Sequence, residues 1–202
     1  RYVMLLNNLG AEVILEVPPP LKAIMSTMAR CLVIAQNEAA PHADFQCPVL
    51  SLPLAFKTNL QSIPSSVPYL SVDDELMAAW RKRLDLSNTT LNIGIACSGN
   101  PTQNNDPNRS MPLQEFAPLL DLAKLFLVQK EVRDSDRAFL DRSPQITFLG
   151  DQIQDFADSA AIIENMDLTI SVCTSLAHLA GSLARPVWVL LPWAPDWRWL
   201  LD

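Results

Sequence analysis

The stretch Leu168 to Leu191 constrains the fold more than any other part of the chain. Ile170-Ser171-Val172 closes an apolar strand, Cys173-Thr174-Ser175 is a cluster of small polar residues, and Leu176 to Gly181 continues as a helix. A second apolar run, Val187 to Leu191, follows Arg185-Pro186. Strand, helix and strand in that order make a βαβ unit, the building block of a parallel sheet. A strand that feeds a helix N-terminus leaves unpaired backbone N–H groups and a positive dipole end at one spot, which suits a phosphate.

The same alternation runs along the rest of the chain. Tyr2 to Leu9 has helical spacing and stops at Gly10, a good residue for the position after a helix. A strand is expected over Glu12 to Val17, a helix opened by Pro18-Pro19-Pro20 to about Met28, and a strand over Cys31 to Ala35. Phe45 to Leu50 and Leu52 to Phe56 read as a short strand and a following helix. Pro and Ser punctuate Ile63 to Leu70. Asp73 to Leu84 reads as a helix, with acidic residues in its first turn and Arg81, Lys82 and Arg83 in its last, both complementing the dipole.

Beyond a polar linker at Leu86 to Thr90, strands are expected at Leu91 to Cys97, Leu125 to Gln129, Ile146 to Leu149, Leu168 to Val172 and Val187 to Leu191. Helices are expected at Pro112 to Leu122, Asp155 to Asn165 and Thr174 to Ala184. Ser98 to Ser110 reads as a long polar loop and Lys130 to Ser143 as a charged stretch. The fold class is therefore α/β, with mostly parallel sheets covered by helices on both faces. Two Rossmann-like domains are expected, residues 1–88 and 89–202, with ligands at the carboxyl ends of the strands in the cleft between them.

Composition narrows the function classes. At 202 residues and 49% hydrophobic content the chain has enough apolar material for real cores. A net charge of -7, with only 15 Lys and Arg scattered along it, argues against a nucleic-acid surface. No apolar run approaches the roughly 20 residues of a membrane span, and Asn7-Asn8 interrupts the N-terminal apolar stretch too early for a signal peptide. A cytoplasmic location is expected. The four cysteines form no C-x-x-C pair, and Cys31, Cys97 and Cys173 lie in or beside apolar runs as reduced, buried thiols do. Two histidines far from acidic pairs suggest no metal site.

Several motifs resemble bacterial glycosyltransferases of the heptosyltransferase type, glycosyltransferase family 9, and more closely the glycosyltransferase-type domain that follows tetratricopeptide repeats. In the second half these are Cys97-Ser98-Gly99-Asn100-Pro101-Thr102, Asn108-Arg109-Ser110-Met111-Pro112, Asp155 to Ala160, Ile170 to Gly181, and Trp193-Ala194-Pro195-Asp196-Trp197-Arg198-Trp199. In the first half they are Glu16 to Leu21 and Cys47 to Phe56. The resemblance implies a GT-B architecture, with the acceptor held mainly by the first domain and a nucleoside-diphosphate sugar held mainly by the second. It implies transfer to an unknown glycan or protein acceptor without metal or other cofactor, the leaving diphosphate being stabilised by cations and helix ends. It also implies tetratricopeptide repeats upstream in the parent protein.

The nucleotide-sugar site that follows from the resemblance comprises Ser98, Gly99, Asn100, Arg109, Ser110, Gln129, Lys130, Phe156, Thr174, Ser175 and His178. Each also has a plainer reading. Thr174 and Ser175 either cap a helix or donate to a diphosphate. His178 sits one turn after Thr174 and serves a phosphate or the turn itself. Arg109 matches the basic residue that contacts donor phosphates in the family, a role suited to a bidentate guanidinium, or it is a solvated loop charge. Gly99 lets backbone approach a ligand. Gln129 and Lys130, with Glu131 and Asp134 following, are candidates for the ribose, and Phe156 for the nucleobase or the core. The terminal tryptophans read as a packing surface, with Asp196 left open.

The chain departs from the family at instructive places. Cys173 stands where relatives carry an acid before the Thr, and a thiol has neither the charge nor the acceptor geometry of a carboxylate. Gln103-Asn104 stands where they have His-Lys. The strand and Gly-Asp turn that precede the first helix in relatives, with the proposed general base, lie outside the sequence, as does a last helix, so no catalytic residue is assigned. The alternative reading is a catalytically inactive GT-B homologue that binds nucleotide or protein.

Overall fold

The computed structural model describes residues 1–196 and Trp199. It divides into two compact units, Arg1–Ser71 and Val72–Asp202. Every strand pair in it is parallel, as the alternation predicts.

The first unit carries helix α1 (Tyr2–Asn8), strand β1 (Val13–Val17), helix α2 (Lys22–Met25), strand β2 (Cys31–Ala35) and helix α3 (Leu52–Ala55). Gly10, at φ 84°, takes the left-handed conformation that ends α1, the position where only glycine avoids a steric penalty. β1 and β2 pair from Val13↔Cys31 to Val17↔Ala35. Val17, Ile24, Val33, Ile34 and Ala35 form the buried part of this βαβ unit.

The strand expected over Phe45 to Leu50 does not form. Pro48 removes a backbone donor in its middle and leads into a 3-10 turn at Val49–Ser51, and Phe45 and Leu50 are left 93% and 86% exposed. The helix expected from Pro18 to Met28 is likewise split into a 3-10 turn, Pro19–Leu21, and the short α2.

The second unit begins with helix α4 (Asp74–Arg83). Asp73 caps it by accepting from the N–H groups of Glu75 and Leu76, both at 3.0 Å. The expected boundary between Asn88 and Thr89 falls inside this unit. Trp80, completely buried, donates from Nε1 to Asp158 Oδ1 at 2.8 Å. The remaining elements are β3 (Leu91–Ala96), α5 (Asp106–Arg109), β4 (Ala123–Leu127), α6 (Asp134–Asp141), β5 (Ile146–Phe148), α7 (Phe156–Glu164), β6 (Leu168–Val172), α8 (Ser175–Ser182) and β7 (Val187–Leu190).

The five strands lie in the order β5-β4-β3-β6-β7. Ile93 and Ile95 of β3, and Cys97 directly after it, alternate toward one face, where they pack with Leu125 and Leu127 of β4 and with Leu113 and Phe116. Gly94 points the other way: a Cβ there would come within 3.3 Å of Met166. No residue of α7 is exposed, and Ala160, Ala161, Ile162 and Ile163 are buried, as befits a helix that packs against both α4 and α8.

Two further expectations change. The segment opened by Pro112 is a 3-10 helix, Leu113–Leu119, rather than an α-helix, and Pro118 inside it cannot donate to an α-helical ladder. The charged stretch Lys130 to Ser143 contains α6, whose Phe139 and Leu140 join the core. Among the described residues no helix is long and apolar enough to cross a membrane.

Candidate functional site

The sheet order reverses between β3 and β6. From β3 the chain moves outward to β4 and β5, then returns to β6 on the other side and continues to β7. Ala96 and Ser171 face each other at the carboxyl ends of these two strands. In doubly wound sheets the loops that leave two such strands frame the crevice where ligands bind.

The loop after β3 is tightly organised. Asn100 Oδ1 accepts from the N–H and hydroxyl of Thr102, so its side chain is occupied in a local turn. Asp106, 3% exposed, lies at the centre. Its Oδ1 accepts from Ser110 Oγ at 2.8 Å, its Oδ2 is ion-paired with Arg133 Nη2, and Arg109 Nε stands 3.6 Å from Oδ1. Ser110 Oγ in turn accepts from Gly99 N at 3.1 Å and from Arg133 Nη2 at 3.0 Å. Met111 N donates to Cys97 O at 2.9 Å and closes the loop at its root.

Arg109 links this loop to the turn after β6. Its side chain is only 13% exposed, and Nη1 donates to the carbonyl oxygen of Cys173 at 2.9 Å. It is neither a solvated loop charge nor a free one: it bridges the crevice. The guanidinium lies directly over Gly99, where a Cβ would fall 2.3 Å from Nη2, so a side chain at that position displaces the arginine. Among the described residues the buried Nε of Arg109 has no hydrogen-bond partner.

The turn itself decides the capping question. Thr174 has the extended backbone of an N-cap, yet its hydroxyl makes no cap. Ser171 Oγ donates its one proton to Val172 O at 2.8 Å, so in its 2.9 Å contact with Thr174 Oγ1 the threonine is the donor. Among the described residues no side chain caps the first-turn N–H groups of α8, which lie beside Arg109. Ser175 is exposed at the first helical position, and His178 lies one turn on. Trp199 stacks on His178 with ring centroids 5.0 Å apart and donates from Nε1 to Cys173 Sγ at 2.9 Å. It therefore borders the turn, whereas Trp193 is fully exposed and Trp197 and Arg198 lie outside the described residues.

The other expected residues also lie at the carboxyl edge, though in different employment. Gln129, buried at the end of β4, accepts from Cys97 N and Ser98 N and donates to Ser98 Oγ and Glu131 O, so its amide is fully used in joining two strand ends. Lys130 donates to Ile153 O. Phe156, half-buried, starts α7 next to the N-cap Asp155.

Electrostatically the loop balances charge at short range. Burial pushes the Asp106 carboxyl up, but the Ser110 hydrogen bond and the guanidiniums of Arg133 and Arg109 together outweigh it and hold its pKa below the ordinary aspartate value. Burial, with the nearby charge of Asp136, pushes the Cys97 thiol up to about 11. Of the thiols only Cys97 is buried; Cys31 and Cys173 are partly exposed and Cys47 is exposed, because the strand edge and loop that carry them are not covered. Among the described residues no three His, Cys, Asp or Glu gather as a metal site.

Sequence reasoning missed Asp106 and Arg133. The first had a local signal, its spacing of three and four residues before Arg109 and Ser110, which places all three on one side of a helical turn. Arg133 had none, since its partners lie 23 and 27 residues away.

No protein-family model and no curated protein matches the chain. Among solved structures, E. coli ADP-heptose LPS heptosyltransferase II is similar, with 17% identity and a TM-score of 0.48 over 64% of this chain and 41% of that one. The chain thus spans less than half the length of that protein.

Proposed function

We propose that the second unit binds a nucleoside-diphosphate sugar, with the diphosphate at the uncapped N-terminus of α8 and against Arg109, in a glycosyltransferase-like protein of GT-B type. The observation that carries this reading is the bond from Arg109 to the Cys173 carbonyl. It brings a preoriented guanidinium from the β3 loop to the helix end of the β6 turn, at the switch point of the sheet. The motifs around Ser98, Arg109 and Thr174 supply the ligand class. Ser98, Gly99 and Ser110 shape the loop, Thr174, Ser175 and His178 line the turn, and Lys130 and Phe156 stand nearer the nucleoside side of the same edge. The two phosphate charges are offset by Arg109 and the helix N–H groups, so no divalent ion is required. Transfer of the sugar to a glycan or protein acceptor completes the proposal.

A second reading, a binding module without transfer activity, is favoured by Cys173. A thiol held by Trp199 occupies the place of the acid that relatives carry. Both readings share the nucleotide site.

Calorimetric titration of the full chain with ADP, UDP, GDP and CDP tests that site. Saturable binding of at least one is expected, insensitive to EDTA and weakened roughly 10- to 100-fold by Arg109→Ala, the loss of a charge-assisted bond to phosphate. Thr174→Ala is expected to weaken it severalfold. If none of the four nucleotides binds, the reading is wrong. Turnover of a nucleotide-sugar to free diphosphate then separates the enzyme from the binding module.

A further inference from the structure

The most deeply buried charge in the crevice has the wrong sign for an anion site. Asp106 is 3% exposed, in a loop whose proposed ligand is a diphosphate. Coulomb's law alone makes such a carboxylate a hindrance. Its bonds suggest the opposite role. Oδ2 is committed to Arg133, Oδ1 accepts from Ser110 and faces Arg109 Nε at 3.6 Å, and the serine oxygen is itself held by Gly99 N and Arg133. Arg109 is therefore flanked on one side by the carboxylate, in an ion pair at 3.6 Å without a hydrogen bond, and held on the other by its hydrogen bond to the Cys173 carbonyl, with Gly99 beneath its plane. Two guanidiniums and one carboxylate leave a single net positive charge. A long, flexible side chain is fixed across the crevice before any ligand arrives.

We propose that Asp106 is the positioning residue of the site: through Ser110 and its pairing with Arg109 and Arg133, it holds the Arg109 guanidinium against the β6–α8 turn, where an anion meets it. The proposal rests on the nucleotide-binding reading above. It assigns a function to a carboxylate that neither the motif reading nor the phosphate-binding chemistry uses.

The sign of one effect separates this role from its competitors. If Asp106 acts only as a nearby negative charge, Asp106→Asn relieves repulsion and tightens nucleotide binding. If it acts only in folding, the variant lowers the binding stoichiometry and the melting temperature but leaves the Kd of the folded fraction unchanged. Positioning predicts that Asp106→Asn weakens the Kd by roughly tenfold at unchanged stoichiometry, because Arg109 loses its ion-pair partner and the loop loses the charge that ties it to Arg133. Ser110→Ala removes the hydroxyl that links the loop to Asp106 without altering charge, and is expected to weaken binding in the same direction by a smaller factor. It decides the matter if Asp106→Asn does not fold.

The probe is whichever of ADP, UDP, GDP and CDP the wild-type chain binds, titrated calorimetrically. Binding that is weakened by Arg109→Ala but unchanged or tightened by both Asp106→Asn and Ser110→Ala overturns the positioning role and leaves the nucleotide site standing. Absence of wild-type binding to all four overturns both.

Discussion

Cys97 and Gln129 illustrate how single residues fix the carboxyl ends of neighbouring strands. The Gln129 amide joins the ends of β3 and β4, and the Cys97 thiol lies beneath it, donating to Oε1 at 3.4 Å. Burial, then the charge of Asp136, raise its pKa to about 11, against hydrogen bonds from Ser98, the backbone and Gln129 that lower it. A folded-state pKa above the unfolded one favours the neutral thiol. The associated stability is present in full below the ordinary value of 9.0 and is lost as pH rises through about 11. Alkylation of the native chain with iodoacetamide at pH 8, read by peptide mass spectrometry, is expected to label exposed Cys47 first and Cys97 only on unfolding. Labelling of Cys97 as fast as Cys47 contradicts its placement.

At the scale of elements, the packing of α4 on α7 turns on Trp80. Its indole is completely buried, and its N–H satisfies Asp158 Oδ1, whose other oxygen accepts from Gln154 N. Trp80→Ala is expected to cost the second unit about 3–5 kcal/mol through cavity formation. Trp80→Phe is expected to cost about 1–3 kcal/mol, because a carboxylate loses its donor. Denaturant unfolding followed by circular dichroism measures both, and a cost under about 1 kcal/mol for the alanine variant contradicts this packing.

The elements also differ in how far the sequence announced them. β2 and β6 have the bounds the sequence predicts, β2 from the uninterrupted apolar run Cys31–Ala35 and β6 from Leu168, Ile170 and Val172 alternating with the small polar Thr169 and Ser171. α6 was hidden because its few apolar residues sit among charges. Its buried Asp136 accepts from Leu113 N at 2.9 Å, a partner that no local pattern points to. Phe45 to Leu50 had the composition of a strand but not the neighbour that would make it one. In the site, the carboxyl-edge positions of Ser98, Arg109 and Thr174 followed from the order of strands and loops. The tie between Arg109 and Cys173 did not, since it joins residues 64 apart in sequence. Nor did the exhausted amide of Gln129, which depends on a neighbouring strand end.

At the scale of the whole molecule, an acidic chain with net charge -7 carries its proposed anion site where two arginines and a helix end converge. Local geometry outweighs net charge there, because exposed charges beyond about 8–10 Å are largely screened at physiological salt while buried ones are screened much less. The sheet order that reverses at β3 and β6 sets the loop with Arg109 and the turn with Thr174 side by side at the carboxyl edge, where Arg109 ties them together. The opposite edge of the sheet offers a rival hollow, lined by Arg81, Ser87, Asn92 and Asp167 among others, but among the described residues that line it none begins a helix, so no helix N-terminus joins its cation. The location of the ligand therefore tests the account most directly. A crystal structure of the full chain with its tightest-binding nucleoside diphosphate is expected to place the diphosphate within hydrogen-bonding reach of the N–H groups of Ser175 and Leu176 and of the Arg109 guanidinium. A diphosphate seated at the Ser87–Asn92–Asp167 edge, or anywhere out of reach of Arg109, contradicts it.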